Sequence, residues 1–255
     1  MTLSTICAKL TPMNEAAGST ATYPSVTSDQ IGWLTEVQMI EVDRVMMEDL
    51  RIDLIQMMEN AGRNLAQLVL DRFAPDTVTV LAGAGGNGGG GLVAARHLLN
   101  RGVDVSVTLG QPAEKLTEVP AHQYDILGRM GKTSQDEPRH SNVVIDALIG
   151  YSLKGAPRGR IGELVEQISQ IGDHVVALDT PSGVNVTDGS VPGTAVSADV
   201  TMTLALPKIG LRGEPHVGEL YLADISVPPS VYTNLGVSPA PDFTTGTLIR
   251  VETGT

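Results

Sequence analysis

Thr77–Asn100 reads TVTVLAGAGGNGGGGLVAARHLLN, and this one stretch carries the fold class. Its first four residues alternate threonine and valine, the pattern of a strand, and its last third has the composition of a helix. Between them, seven of the nine residues from Gly83 to Gly91 are glycine. Glycine inside a regular element costs stability, so this density needs a reason. A backbone without side chains admits a ligand closely, and N–H groups at a helix N-terminus attract phosphate oxygens. No serine interrupts the run, which argues against a flexible linker and for a loop that holds a nucleotide-like ligand.

Working outward, the same alternation continues. The pattern predicts strands at 77–82, 103–109, 142–146 and 174–179, and helices at 91–101, 121–131 and 160–171, with further strands at 199–205 and 219–225. Strands separated by helices imply βαβ units and a mostly parallel sheet in a three-layer α/β/α sandwich. Ligand chemistry is then expected at the carboxyl ends of the strands. Upstream, Thr35 and Gln38 have capping-box spacing, and Leu54, Met58, Ala61, Leu65 and Leu68 mark a second helical face, so extra helices precede the first strand. Met46, Met47, Met57 and Met58 fit core or subunit interface better than a ligand groove. Residues 1–30 are rich in Ser, Thr and Pro and read as a flexible tail, as do residues 231–255, leaving 31–230 as the folded domain.

The chain has 255 residues, 42% of them hydrophobic, which suits one α/β domain. A formal charge of −12 opposes nucleic-acid binding, which needs clustered Lys and Arg. Cys7 is the only cysteine, so neither a disulfide framework nor a cysteine zinc site is available. With no long apolar run and no basic-then-apolar leader, the expectation is a soluble cytoplasmic protein without membrane contact.

Gly83–Gly88 satisfies G-x-G-x-x-G, a weak signal alone. A hydride-transfer dehydrogenase places an acidic residue at the end of its second strand, but here that strand ends in Leu109-Gly110-Gln111, with Asp104 at the opposite end. The loop therefore serves a different chemistry. Two later strands each end in a carboxylate: Val143–Ile145 runs into Asp146 and then the loop 150–159, and Val175–Leu178 runs into Asp179-Thr180-Pro181-Ser182-Gly183. Turn capping explains such an Asp singly. Two of them at the edge that also holds the glycine loop point to a site. The five histidines lack metal-ligand spacing, and Ser182 is not in a G-x-S-x-G elbow.

These segments resemble the NAD(P)H-hydrate epimerase family, the YjeF N-terminal domain. From about Leu34 to Pro228 the family's order is kept: GAGGNGGGGLV (83–93), DALIGYSLKG (146–155), DTPSG (179–183) and LALPKIGL (204–211) match its four motifs. The resemblance implies a Rossmann-like domain, usually a homodimer, that interconverts the R and S forms of hydrated NADH and NADPH (NADHX and NADPHX). It also implies a functional link to a separate NAD(P)H-hydrate dehydratase.

Carried over position by position, Asn87, Asp146 and Ser182 would bind a potassium ion. Gly86, Asn87, Gly88, Gly89 and Gly90, together with Gly150, Tyr151, Ser152, Leu153, Lys154, Gly155 and Ala156, would contact substrate. Asp179 would lie beside the reacting ring as substrate contact and acid–base catalyst, and its apolar strand neighbours suit a carboxyl that gives and takes a proton. Lys154 fits a phosphate contact and a solvated loop equally well. The chain departs from the family at Gly86, usually Asn; at Gly90, usually Asp; and at Asn185, commonly Asp. The alternative reading is a catalytically silent nucleotide-binding or scaffold protein of the same fold.

Overall fold

The computed structural model describes residues 22–253. Eight strands form one sheet: β1 (Ser25–Thr27), β2 (Thr77–Ala82), β3 (Asp104–Leu109), β4 (Ser141–Ala147), β5 (Gly172–Leu178), β6 (Val200–Leu204), β7 (Glu219–Ala223) and β8 (Leu248–Glu252). Their order is β1-β8-β7-β6-β5-β4-β2-β3, and every neighbouring pair is parallel except β7 and β8. The helices are α1 (Glu36–Arg44), α2 (Leu54–Phe73), α3 (Gly86–Leu99), α4 (Glu118–Arg129), α5 (Gly159–Gln167) and α6 (Pro229–Asn234).

Alternation along the strands sorts side chains into two cores. Val80, Ala82, Val143, Ile145, Val176 and Leu178 join the larger core, with Met39 of α1, Leu65 of α2, Leu92 of α3 and Leu127 of α4. Leu81, Val144, Val175 and Ala177, one position out of phase, join a smaller core under Leu164 and Val165 of α5. Helices therefore cover both faces, the three-layer architecture that the sequence implies.

The helices upstream of the sheet start where the capping residues place them. Thr35 Oγ1 accepts from Gln38 N at 3.2 Å and Gln38 Oε1 accepts from Thr35 N at 2.9 Å, the reciprocal box expected at α1. A π-helical turn at Val45–Asp49 follows α1 before the chain enters α2.

Two expectations change. α3 begins at Gly86, not near residue 91, so most of the glycine run is helix rather than loop. Packing is the reason: a Cβ at Gly88 would lie 1.9 Å from Gly83 O, and one at Gly91 2.5 Å from Ala147 Cβ. The expected tail at 231–255 holds most of α6 and all of β8, whose Leu248, Ile249 and Val251 are buried against β7. At the other end β1 pairs with β8 from within the expected tail at 1–30, while residues 1–21 lie outside the described residues.

The order places β4 and β3 on either side of β2, so the chain reverses direction across the sheet at β2. The crevice beyond the carboxyl ends at such a switch point is where open α/β sheets bind ligands.

Candidate active site

A cavity of about 270 Å³ opens at that switch point. The turn after β2 supplies Gly85–Asn87, the segment after β4 supplies Leu148–Ser152, and Asp179 closes β5. Met39 and Asp43 of α1 and Leu54 and Met58 of α2 line it from the helical side. Of the four methionines noted above, Met46, Met57 and Met58 belong to the core, and Met58 also lines this cavity.

Asp146 is fully buried at the end of β4. Its Oδ1 accepts from Ser182 Oγ at 2.6 Å and from Leu148 N at 3.2 Å, and its Oδ2 accepts from Ser182 N at 2.7 Å. Burial pushes its carboxyl up to about 6, against the pull of those donors. Ser182 Oγ in turn accepts from Ile149 N at 2.9 Å, tying the loop after β4 to the Pro-Ser-Gly turn. Nearby, both side-chain polar atoms of Asn87 are buried with no hydrogen-bond partner among the described residues. Orphaned buried amide atoms are rare and call for a partner.

The orphan Asn87 Oδ1, a buried carboxylate and a hydroxyl suit a hard monovalent cation, since these donors are all oxygen and their total charge is low. Among the described residues no cluster of three or more His, Cys, Asp or Glu residues could hold a metal ion, so the donor set does not fit zinc.

Asp179 adopts a φ of 67°, a left-handed conformation that Asp tolerates better than most residues. The turn is held by Asp179 N donating to Met202 O at 2.7 Å. Its Oδ2 accepts from Tyr151 N at 3.1 Å, and its Oδ1 receives the ammonium of Lys208. Lys208 is wholly buried and also donates to Leu204 O at 2.9 Å and Thr203 Oγ1 at 3.2 Å. The strand pattern around Asp179 gives no hint of this cation. Asp43 likewise escaped the sequence reading, although it lies one turn after the buried Met39 on α1 and three residues before the buried Met46 of the following π-helical turn, where a carboxylate is conspicuous.

Of the expected contact residues, Gly86, Asn87, Gly150, Tyr151, Ser152 and Asp179 line the cavity. Gly88, Gly89 and Gly90 are buried within α3, and Leu153, Lys154, Gly155 and Ala156 lie along the loop outside the cavity wall. Lys154 is exposed. Gly150 stands close to Asp179 and Asn87: a Cβ there would lie 3.2 Å from Asp179 Oδ2 and 3.4 Å from Asn87 Cβ, so a side chain would crowd the two. A Cβ at Gly90 would lie 2.8 Å from Leu178 Cδ2, so that position faces the core.

Residues 54–210 match the family described as YjeF-related protein N-terminus. A protein of Dehalogenimonas lykanthroporepellens named NAD(P)H-hydrate epimerase is 44% identical over 231 residues, covering 86% of this chain and 92% of that one. One of Hyperthermus butylicus named bifunctional NAD(P)H-hydrate repair enzyme Nnr is 39% identical over 71% of this chain, but the match spans only 36% of its length. The crystal structure of yeast ynu0, YNL200c, superposes with a TM-score of 0.74 at 26% identity, covering 86% of this chain and 99% of that one.

Proposed function

Because this chain belongs to the YjeF-related N-terminal family, we propose that it is an isomerase, the epimerase that interconverts the R and S forms of NADHX and NADPHX. The observation that carries the reading is the meeting of Asn87, Gly150–Ser152 and Asp179 around one cavity at the switch point of the sheet. A cavity of about 270 Å³ holds the reacting ring and leaves the rest of a dinucleotide over the sheet edge.

The reacting carbon, C6 of the hydrated ring, must lose its hydroxyl from one face and take up water on the other. The ring nitrogen lone pair assists departure by forming an iminium, so the protein's task is proton transfer and orientation. Asp179, at the cavity wall, exchanges the proton with the C6 oxygen. Lys208 and Tyr151 N hold its carboxylate in place from two sides. Asn87, Asp146 and Ser182 would hold a potassium ion, which when bound offsets the buried charge of Asp146 and draws the loops after β2, β4 and β5 together.

The departures at Gly86 and Gly90 favour a silent binding protein only if they remove groups that face the ligand. Gly90 faces Leu178, so its change is compatible with activity; Gly86 lines the cavity beside Leu54 and Met58, so the Asn usual there would add a side chain to the wall, and the assay below decides whether its absence is tolerated. We place the activity in the cytoplasm, in keeping with a single cysteine, and in sequence with a separate dehydratase; no helix among the described residues is long and apolar enough to cross a membrane. A homodimer is supported by Val37 and Ile40 of α1, 75% and 52% exposed. Light scattering checks it: a monomer at micromolar concentration counts against it.

The test of function is chiral chromatography of R-NADHX incubated with the protein in potassium buffer beside a protein-free blank. Conversion to the S form well above the blank is expected. A rate equal to the blank moves the chain to the silent binding reading.

A further inference from the structure

Tyr151 occupies a particular position in the cavity. Its backbone N–H holds Asp179 Oδ2 at 3.1 Å, while its hydroxyl donates to Asp43 Oδ2 at 2.6 Å. Asp43 is the hydroxyl's one hydrogen-bond partner among the described residues, and both side chains line the cavity. One residue therefore links two carboxylates that come from different walls: Asp179 from the sheet edge and Asp43 from α1.

Resting on the epimerase reading above, we propose that Tyr151 and Asp43 form a second proton relay, serving the face of the ring that Asp179 does not. Epimerisation at C6 requires a proton delivered to the leaving oxygen on one face and a proton removed from the entering water on the other. A single carboxylate would have to reach both faces. In one direction, with Asp43 protonated and the Tyr151–Asp43 hydrogen bond turned so that the carboxyl donates, Tyr151 gives its hydroxyl proton to the leaving C6 hydroxyl while Asp43 reprotonates the phenol oxygen. The C6–O bond breaks with its electrons on oxygen, water departs, and the nitrogen lone pair forms the C6–N double bond. Water then adds to C6 from the opposite face, the double-bond electrons return to nitrogen, and Asp179 takes the proton that this water loses. One proton has moved from Asp43 to Asp179; the reverse reaction moves it back, and for a further turnover in the same direction Asp179 releases its proton to solvent water and Asp43 takes one up.

The surroundings divide the roles as this scheme needs. Asp179 has the Lys208 ammonium against it and suits the base. Burial raises the Asp43 carboxyl above the usual carboxylate range, the Asp179 charge adds to that, and the Tyr151 hydrogen bond and the more distant Lys208 oppose it. Tyr151 itself is raised by burial and faces Asp43, Asp179 and Glu36, so it stays a phenol and passes protons rather than holding a charge. A proton donor and a proton acceptor set on opposite walls of one cavity are a recurring arrangement of acid and base in one site.

The relay requires one proton shared by two carboxyls, so kcat/KM should be bell-shaped in pH in both directions. Tyr151→Phe keeps the ring and the backbone bond to Asp179. It should lower kcat by about 10²-fold with KM nearly unchanged. Asp43→Asn should do the same and abolish one limb of the pH profile, with the melting temperature followed for both variants. If the wild type turns over and Tyr151→Phe keeps its kcat and both limbs, the relay is wrong and the epimerase reading stands. If Asp43→Asn loses stability or KM but keeps both limbs, Asp43 only tethers α1. A wild-type rate equal to the blank overturns the epimerase reading and the relay with it.

Discussion

Asp179 holds a left-handed backbone and a buried ammonium at once, so its substitution tests two things. Asn tolerates the positive φ and still accepts from Tyr151 N, yet it leaves the wholly buried Lys208 without its counter-charge. Asp179→Asn should lower kcat by about 10²–10⁴ and cost roughly 3–5 kcal/mol of stability, the scale for orphaning a buried ion. Pairing it with Lys208→Met should restore much of the stability and none of the activity; urea denaturation beside the chiral assay separates the two, and recovered turnover in the double variant would remove Asp179 from the chemistry. Asp146 gives a pH test. With no cation bound, its carboxyl titrates near 6 in the fold, above the ordinary value of 3.8, so its contribution to stability is fully present below about pH 4 and is lost as pH rises through 6. A cation beside it favours the carboxylate and reverses that loss. Potassium chloride should therefore raise the melting temperature strongly at pH 7.5 and little at pH 4.5, relative to tetramethylammonium chloride at equal ionic strength. Equal shifts at both pH values would count against Asp146 as a ligand. Asn87, Asp146, Asp179 and Ser182 were legible because each ends or follows a recognisable strand; Asp43 and Lys208 were not, because only tertiary packing brings α1 and the turn after β6 over the same cavity.

At the scale of elements, the glycine run shows what propensity hides. Read as local preference, seven glycines exclude a helix; in the fold, α3 starts among them because it lies too close to its neighbours for side chains. Gly83 has Leu148 O 2.0 Å from its would-be Cβ, Gly88 has Gly83 O at 1.9 Å, and Gly62 of α2 has Val93 Cβ at 2.4 Å. Of the stretch expected to touch a ligand, Gly85, Gly86 and Asn87 at the first turn reach the cavity. The two uses separate by mutation. Gly88→Ala meets rigid backbone and should cost about 3 kcal/mol or more, the upper end of overpacking. Gly86→Asn, which restores the usual family residue, finds its nearest atoms at 3.8 Å and should leave the unfolding free energy within about 0.5 kcal/mol of wild type. A tolerated Gly88→Ala would return the run to the loop reading. α4 and α5 lie within a few residues of their predicted spans, since their apolar spacing is local and no close approach distorts it.

For the whole molecule, the C-terminal residues decide how far the domain extends. Their Ser-, Thr- and Pro-rich composition reads as a tail, and the alternation in Leu248–Glu252 is only five residues long, too short to outweigh it. What makes it a strand is the non-local antiparallel pairing of Leu220–Ala223 with Leu248–Val251, which no neighbouring residue announces. β8 in turn carries β1, so the edge of the sheet is built from both ends of the described chain. A chain ending at Pro228 would leave β7 as an unpaired edge and uncover Leu220, Tyr221 and Leu222, all buried in the fold. Exposed apolar edges of this kind pair with other chains. Such a truncation should therefore elute as aggregate in size-exclusion chromatography or melt well below the full chain, even though every residue around the cavity is retained. Full solubility with an unchanged melting temperature would mean that the sheet is complete at β7 and that residues 229–253 only dock on it; activity measured on the same sample would then show whether the cavity depends on that edge, since Ile225 of its wall follows β7 directly.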